Sequence, residues 1–139
     1  MKLWESRWHE DRIGFHLKEV NPYLIRFSDQ LLYQNPDRVF VPLCGKTLDL
    51  CWLSKNTKKV IGIEFVNKAV KDFFVENNIH YLIQQGETLT KFSSKSIDIY
   101  HGDFFELKPV NTAKFKAIYD RASIVAIEKF DRKKYVDHL

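Results

Sequence analysis

Arg38-Val39-Phe40-Val41-Pro42-Leu43-Cys44-Gly45-Lys46, followed by Lys59-Val60-Ile61-Gly62-Ile63-Glu64, decides the fold. Both are short apolar runs rich in β-branched and aromatic residues, which read as strands. Between them Leu48, Trp52 and Leu53 recur at helical spacing. Strand, tight turn, helix and strand make one βαβ unit.

Outward from that unit the alternation continues. Ala69, Val70, Phe73 and Phe74 mark a second helix, which Asn77-Asn78 can close. Tyr81-Leu82-Ile83 reads as a short strand, Ser93 to Ser96 as a turn, Ile97 to His101 as a strand and Phe115 to Asp120 as another. A further helix is expected from Asp131 onward. Upstream, Asn21-Pro22 has the form of an N-cap with proline at the first helical position, and Leu24, Phe27 and Leu31 continue one apolar face until the turn cluster Gln34-Asn35-Pro36-Asp37. Trp4 and Trp8, at i and i+4, predict a short amphipathic helix ending near Gly14. The order is that of an α/β protein with a mostly parallel sheet and helices on both faces. The sequence ends at Leu139 before its last helix meets a stop signal or another strand follows. The expectation is therefore a fold whose C-terminal strands are missing, or whose last strand is covered by something else.

Composition agrees with one domain over residues 1–139. Of 139 residues 45% are hydrophobic and 14% aromatic, enough for a single core. No run reaches the roughly 20 apolar residues needed to span a bilayer, and Met1 to Arg7 lacks the apolar region of a secretion signal, so a soluble, unexported, cytoplasmic protein with no membrane partner is expected. The formal net charge is +4 with the basic residues spread along the chain, which speaks against a nucleic-acid partner. Cys44 and Cys51 lie seven apart with no histidine arranged beside them; they read as reduced thiols, and no metal site is expected. Oligomeric state is not read from the sequence.

In open α/β sheets the ligand lies beyond the carboxyl ends of the strands. The residues there are Leu43 to Lys46, Glu64, Asp103 with Phe104, and Asp120 with Arg121. Glu64 ends the second strand 19 positions after Gly45, a spacing at which an acceptor-only side chain can grip both hydroxyls of a ribose. Its competing reading is a carboxylate interacting with the amides of the following helix. Arg121 offers planar donors to an anionic or heteroaromatic ligand, or pairs structurally with a carboxylate. Trp4, Trp8 and Phe15 read either as core or as a lid over the crevice, where aromatic faces would attract a sulfonium cation. Gly45-Lys46-Thr47 is not a phosphate-binding P-loop, because Phe40 stands where that motif needs glycine. A dinucleotide site is disfavoured for want of GxGxxG.

Trp4-Glu5-Ser6-Arg7-Trp8, Arg12-Ile13-Gly14-Phe15-His16, Glu19-Val20-Asn21-Pro22, Val41-Pro42-Leu43-Cys44-Gly45-Lys46, Val60-Ile61-Gly62-Ile63-Glu64 and Tyr119-Asp120-Arg121-Ala122 together resemble, in order and spacing, the thiopurine S-methyltransferase family. The PLCGK turn is the most specific of these, because most methyltransferases carry a glycine-rich sequence there. The resemblance implies a Rossmann-like fold binding S-adenosyl-L-methionine, with an N-terminal helical cover over about residues 1–35. It implies transfer of a methyl group to the sulfur of a small thiol or thiopurine-like acceptor. Cofactor contacts would fall on Trp4, Trp8, Leu43, Glu64, Asp103, Phe104 and Arg121. Among them Glu64 would take the ribose, Leu43 the methionine moiety, and Asp103 with Phe104 the adenine. Phe15 would bound the acceptor, and Arg121 would polarise it as the catalytic electrostatic aid. The alternative expectation is a truncated, non-catalytic module that binds S-adenosylmethionine without turning over.

Overall fold

The computed structural model describes residues 2–14, 16–33, 35–108, 117–121 and 123–139. The βαβ unit forms where the apolar runs place it. Strand β1 (Arg38–Val41) and β2 (Lys59–Glu64) flank a helix at Asp49–Asn56, and a second helix follows at Asn67–Glu76. With the three upstream helices α1 (Lys2–His9), α2 (Pro22–Arg26) and α3 (Ser28–Leu31), these two helices are α4 and α5. Strands β3 (Leu82–Gln85), β4 (Thr90–Ser93), β5 (Ile97–His101) and β6 (Ala117–Ile118) complete the sheet. A 3-10 turn at Phe104–Glu106 lies between the last two strands, and α6 (Ser123–Ala126) with α7 (Arg132–His138) follow them.

The sheet order is β3-β4-β5-β2-β1-β6. The pairs β1·β2, β2·β5 and β1·β6 are parallel, as the crossover helices require, while β3·β4 and β4·β5 are antiparallel. The expected mostly parallel sheet thus carries an antiparallel hairpin on one edge. Among the described residues strand β6 stands at the other edge, held by Val39 opposite Ala117 and Phe40 opposite Ile118.

Alternation along the central strands divides the core in two. Val39, Val41, Val60, Ile97 and Ile99 face α4 and α5, where Leu50, Leu53, Phe73 and Phe74 cover them. Phe40, Ile61, Ile63 and Tyr100 face the other way, under Phe104, Leu107 and Tyr135 of α7. Gly62 in β2 is a packing requirement, since a Cβ there would stand 2.8 Å from the Cys44 sulfur.

Several local expectations are corrected. α1 ends at His9, well before Gly14, because Asp11 takes a left-handed φ of 54° and turns the chain. The helix begun by Asn21 is broken into α2 and α3 at Phe27. Its cap is as read, with the Asn21 side-chain oxygen accepting from the Tyr23 N–H at 3.1 Å. Tyr81 lies outside β3, and the 115–116 portion of the expected fourth strand lies outside the described residues. Cys44 and Cys51 are both free thiols, the first buried and the second half-buried.

Candidate functional site

The chain turns sharply beyond β1, and this turn builds the site. Leu43 and Gly45 both take left-handed backbone conformations, with φ of 47° and 55°. A Cβ on Gly45 would lie 3.2 Å from Cζ2 of Trp8, so the glycine lets the indole of α1 close on the turn. Trp8 is buried against Val66 and Ala69 at the start of α5, with Trp4 packed beside it. Trp8 thus packs as core and also lines the space beneath it.

Beneath it is a cavity of about 610 Å³ at the C-terminal ends of β1, β2 and β6. Trp4 and Trp8 line it from above, Leu43 to Thr47 from the turn, Glu64 from the end of β2, and Arg121 and Ser123 from beyond β6. Ser123 is fixed by donating from its hydroxyl to the Pro42 carbonyl at 3.0 Å, which ties the start of α6 to the turn.

Glu64 is 7% exposed. Its Oε2 accepts the Gly45 N–H at 2.8 Å and its Oε1 accepts the Val66 N–H at 3.0 Å. The carboxylate therefore braces the turn and caps the entry to α5, the structural role weighed against ribose binding. The two roles are compatible, because a carboxylate offers about four lone-pair directions. Burial raises its carboxyl above the usual range, opposed by the amides of Val66, Gly45 and Phe65. The neighbouring Cys44 thiol is pushed well up by burial and by the Glu64 charge, which leaves it a neutral, packed sulfur.

Asp120 has a structural part of its own. Its Oδ1 accepts from the Ser123 N–H at 2.9 Å and its Oδ2 from the Tyr135 hydroxyl at 2.5 Å. Arg121 lines the cavity. Asp103 and Phe104 do not line it. Asp103 Oδ1 accepts from the Phe105 N–H at 2.9 Å, and Phe104 is 2% exposed, packed on Phe40 and Tyr135. Phe15 and Ala122 lie outside the described residues.

The sequence reading placed Lys46 at this end of the sheet without a role, and missed His16, Asp49 and Tyr119 as cavity residues. Lys46 is 8% exposed, its ammonium donating to Glu76 Oε1 at 2.7 Å and lying 6.0 Å from the Trp8 ring centroid. Its buried charge was legible only as part of PLCGK. The His16 imidazole is held below the usual histidine range, first by burial and then by the Lys46 charge. Among the described residues no group of three or more His, Cys, Asp or Glu side chains could hold a metal ion, and no helix is long and apolar enough to cross a membrane.

The sheet order, the parallel crossovers and a cavity at the ends of β1 and β2 define an α/β, Rossmann-like methyltransferase fold. Comparison with known proteins narrows this: the family model described as "Thiopurine S-methyltransferase (TPMT)" matches residues 1–139. The chain belongs to the thiopurine S-methyltransferase family. It is 44% identical over 137 residues to the thiopurine S-methyltransferase of Pseudomonas paraeruginosa (strain DSM 24068 / PA7), an alignment covering 99% of this chain and 63% of that protein. Proteins of the same name from Nitrosospira multiformis and Shewanella woodyi are 43% and 41% identical, with 99% of this chain and 63% of each relative covered. The chain thus spans about 63% of the length of the curated relatives it matches.

Proposed function

We propose that residues 1–139 form one S-adenosyl-L-methionine-binding domain, with residues 1–35 as its helical cover, and that it serves methyl transfer to the sulfur of a small thiol or thiopurine-like acceptor. The observation that carries this is the convergence of Trp4, Trp8, Leu43, Glu64 and Arg121 on one cavity of about 610 Å³.

The residues suit that cofactor. An acceptor-only carboxylate at the end of β2 matches a ribose diol. The left-handed turn at Leu43 and Gly45 brings backbone close to a ligand where a side chain would block it. Aromatic faces above the cavity favour a sulfonium and exclude water. When bound, the cofactor supplies an electrophilic methyl carbon on a positively charged sulfur.

The chain's own part is orientation. Glu64 fixes the ribose while bracing the turn, and Leu43 presents its backbone to the methionine moiety. Trp4 and Trp8 keep solvent out. Asp103 and Phe104 follow Gly102, whose N–H donates to the Glu64 carbonyl at 3.0 Å, so they flank the ribose residue and are proposed beside the adenine. Arg121 is the proposed electrostatic aid to the acceptor, and Phe15 its neighbour. Aromatic thiols ionise readily and the thiolate is already the competent nucleophile, so proximity and alignment suffice without a strong general base. We place the protein in the cytoplasm, where thiols stay reduced.

Calorimetry with S-adenosylhomocysteine and with a dinucleotide, followed by a methylation assay on a thiopurine, tests this. Binding of S-adenosylhomocysteine alone, with turnover, is the expected result. Binding without turnover would establish a cofactor-binding module in place of the enzyme, and no binding would refute the cofactor site.

A further inference from the structure

Asp49 opens α4 and is completely buried, at 0% exposure. A carboxylate out of water is costly unless hydrogen bonds replace its hydration. Here they come from distant segments. The Asn21 backbone N–H donates to Oδ1 at 2.7 Å and the Tyr119 hydroxyl donates to Oδ2 at 2.7 Å. The Asn21 side-chain amide donates in turn to the Tyr119 oxygen at 3.2 Å, closing a triad across 98 residues of sequence.

Asp49 and Tyr119 line the cavity, and Asn21 ties them to the N-terminal cover. Asn21 caps α2 in the N-terminal cover, and Asp49 follows the turn that carries Leu43 and Gly45. Tyr119 follows β6 directly, with its own N–H donating to the Phe40 carbonyl at 2.8 Å. Arg121 stands two residues further, lining the same cavity, and its charge reaches the Tyr119 phenol. Burial, and then the bond to Asp49, keep that phenol neutral by raising its pKa, so its proton stays committed to the carboxylate.

Asp49 adjoins the cavity but is 0% exposed, with both carboxylate oxygens engaged, so its effect passes through its partners. Apolar packing could hold the three segments together equally well; directional bonds to both carboxylate oxygens also set their register. We propose that the Asp49–Tyr119 pair is a positioning device that sets Arg121 and the N-terminal cover against the cavity, an inference that rests on the cofactor site proposed above.

The test is Tyr119→Phe in the whole 139-residue chain, which removes one hydroxyl and keeps the ring. Its Kd for S-adenosylhomocysteine should rise about 5- to 30-fold, a part of the roughly 13- to 160-fold that one hydrogen bond to a charged group is worth. In an Arg121→Met background the same change should alter Kd less than about twofold, because what Tyr119 positions is gone. A merely structural hydroxyl would lower the melting temperature equally in both backgrounds without that coupling. A wild-type Kd in Tyr119→Phe, or an equal loss in both backgrounds, would overturn the inference. If the parent chain fails to bind S-adenosylhomocysteine, the cofactor reading falls, and amide hydrogen exchange decides the positioning claim. Tyr119→Phe should then speed exchange around both Asn21 and Tyr119 while β2 and α5 stay as protected as before. Uniform acceleration or none refutes it.

Discussion

Replacing Gly62 by alanine adds one methyl group at an enclosed point of the sheet. Gly62 lies in β2, opposite Val41 on one side and Ile99 on the other. The new Cβ would stand 2.8 Å from Cys44 Sγ, 3.4 Å from Cys44 Cβ and 3.6 Å from Ile99 Cγ1. Ordinary contact begins near 3.4 Å, so the sulfur must retreat by 3.4 − 2.8, about 0.6 Å. Strand β2 is pinned by ladders on both sides, and the movement therefore falls on Cys44. That residue is itself tied by its N–H to the Ile63 carbonyl at 3.0 Å, between the left-handed Leu43 and Gly45. Overpacking of this kind costs about 1–3 kcal/mol, and the smaller entropy of the unfolded alanine chain returns about 0.4–1 kcal/mol. The net expectation is a loss of about 1–2 kcal/mol, read as a lower urea midpoint at unchanged m-value. Cys44→Ala alone should cost about 1 kcal/mol for the buried sulfur. In the double variant the methyl at 62 occupies space that the sulfur vacated, so the two losses should fall short of their sum by about 1 kcal/mol. A Gly62→Ala protein within about 0.5 kcal/mol of the parent, or strict additivity with Cys44→Ala, would refute the packing argument.

Glu64→Ala strips the Gly45 and Val66 amides of their acceptor and should cost about 1–3 kcal/mol in denaturant unfolding, towards the lower end because the adjoining cavity can admit water. The same variant should weaken S-adenosylhomocysteine binding by a similar amount in calorimetry, and an unchanged affinity would remove Glu64 from the ribose. Gly45→Ala forces a side chain into a left-handed conformation 3.2 Å from the Trp8 ring, and should cost about 1–2 kcal/mol with a red shift of tryptophan emission as α1 loosens. His16, depressed by burial and by Lys46 and Arg121 against the opposing charges of Glu76 and Asp49, should titrate by NMR below free histidine. The unfolded chain then binds the proton that the folded one refuses, so stability rises with pH up to the free-histidine value of about 6.5, and His16→Gln should flatten that rise in urea titrations.

Burial explains which elements could be read. β1 and β2 are buried along nearly their whole length, and α5 buries Ala69, Val70, Phe73 and Phe74 on one face, so each carries the apolar period of its type. Of the β3–β4 hairpin only the start of β3 was read, as Tyr81 to Ile83; β4 escaped because it buries Phe92 alone, which leaves no alternation to detect. Among the cavity residues, Leu43, Glu64 and Arg121 were legible because they follow strands, whereas the spacing of Trp4 and Trp8 left core and lid open and only the family resemblance pointed them to the site. Asp49 and Tyr119 were not legible. The first looks like an ordinary acid in the opening turn of a helix and the second like one more strand residue.

The sequence by itself determined the βαβ unit, the turn between Val41 and Lys46 and the residues that stand at the ends of its strands, because these depend on local period and local backbone freedom. The tertiary structure alone decided that the cover, the turn and the end of β6 meet at one buried carboxylate. Asn21, Asp49 and Tyr119 are neighbours only after two crossovers have placed them, and no spacing along a chain records which polar atoms will share a proton across it.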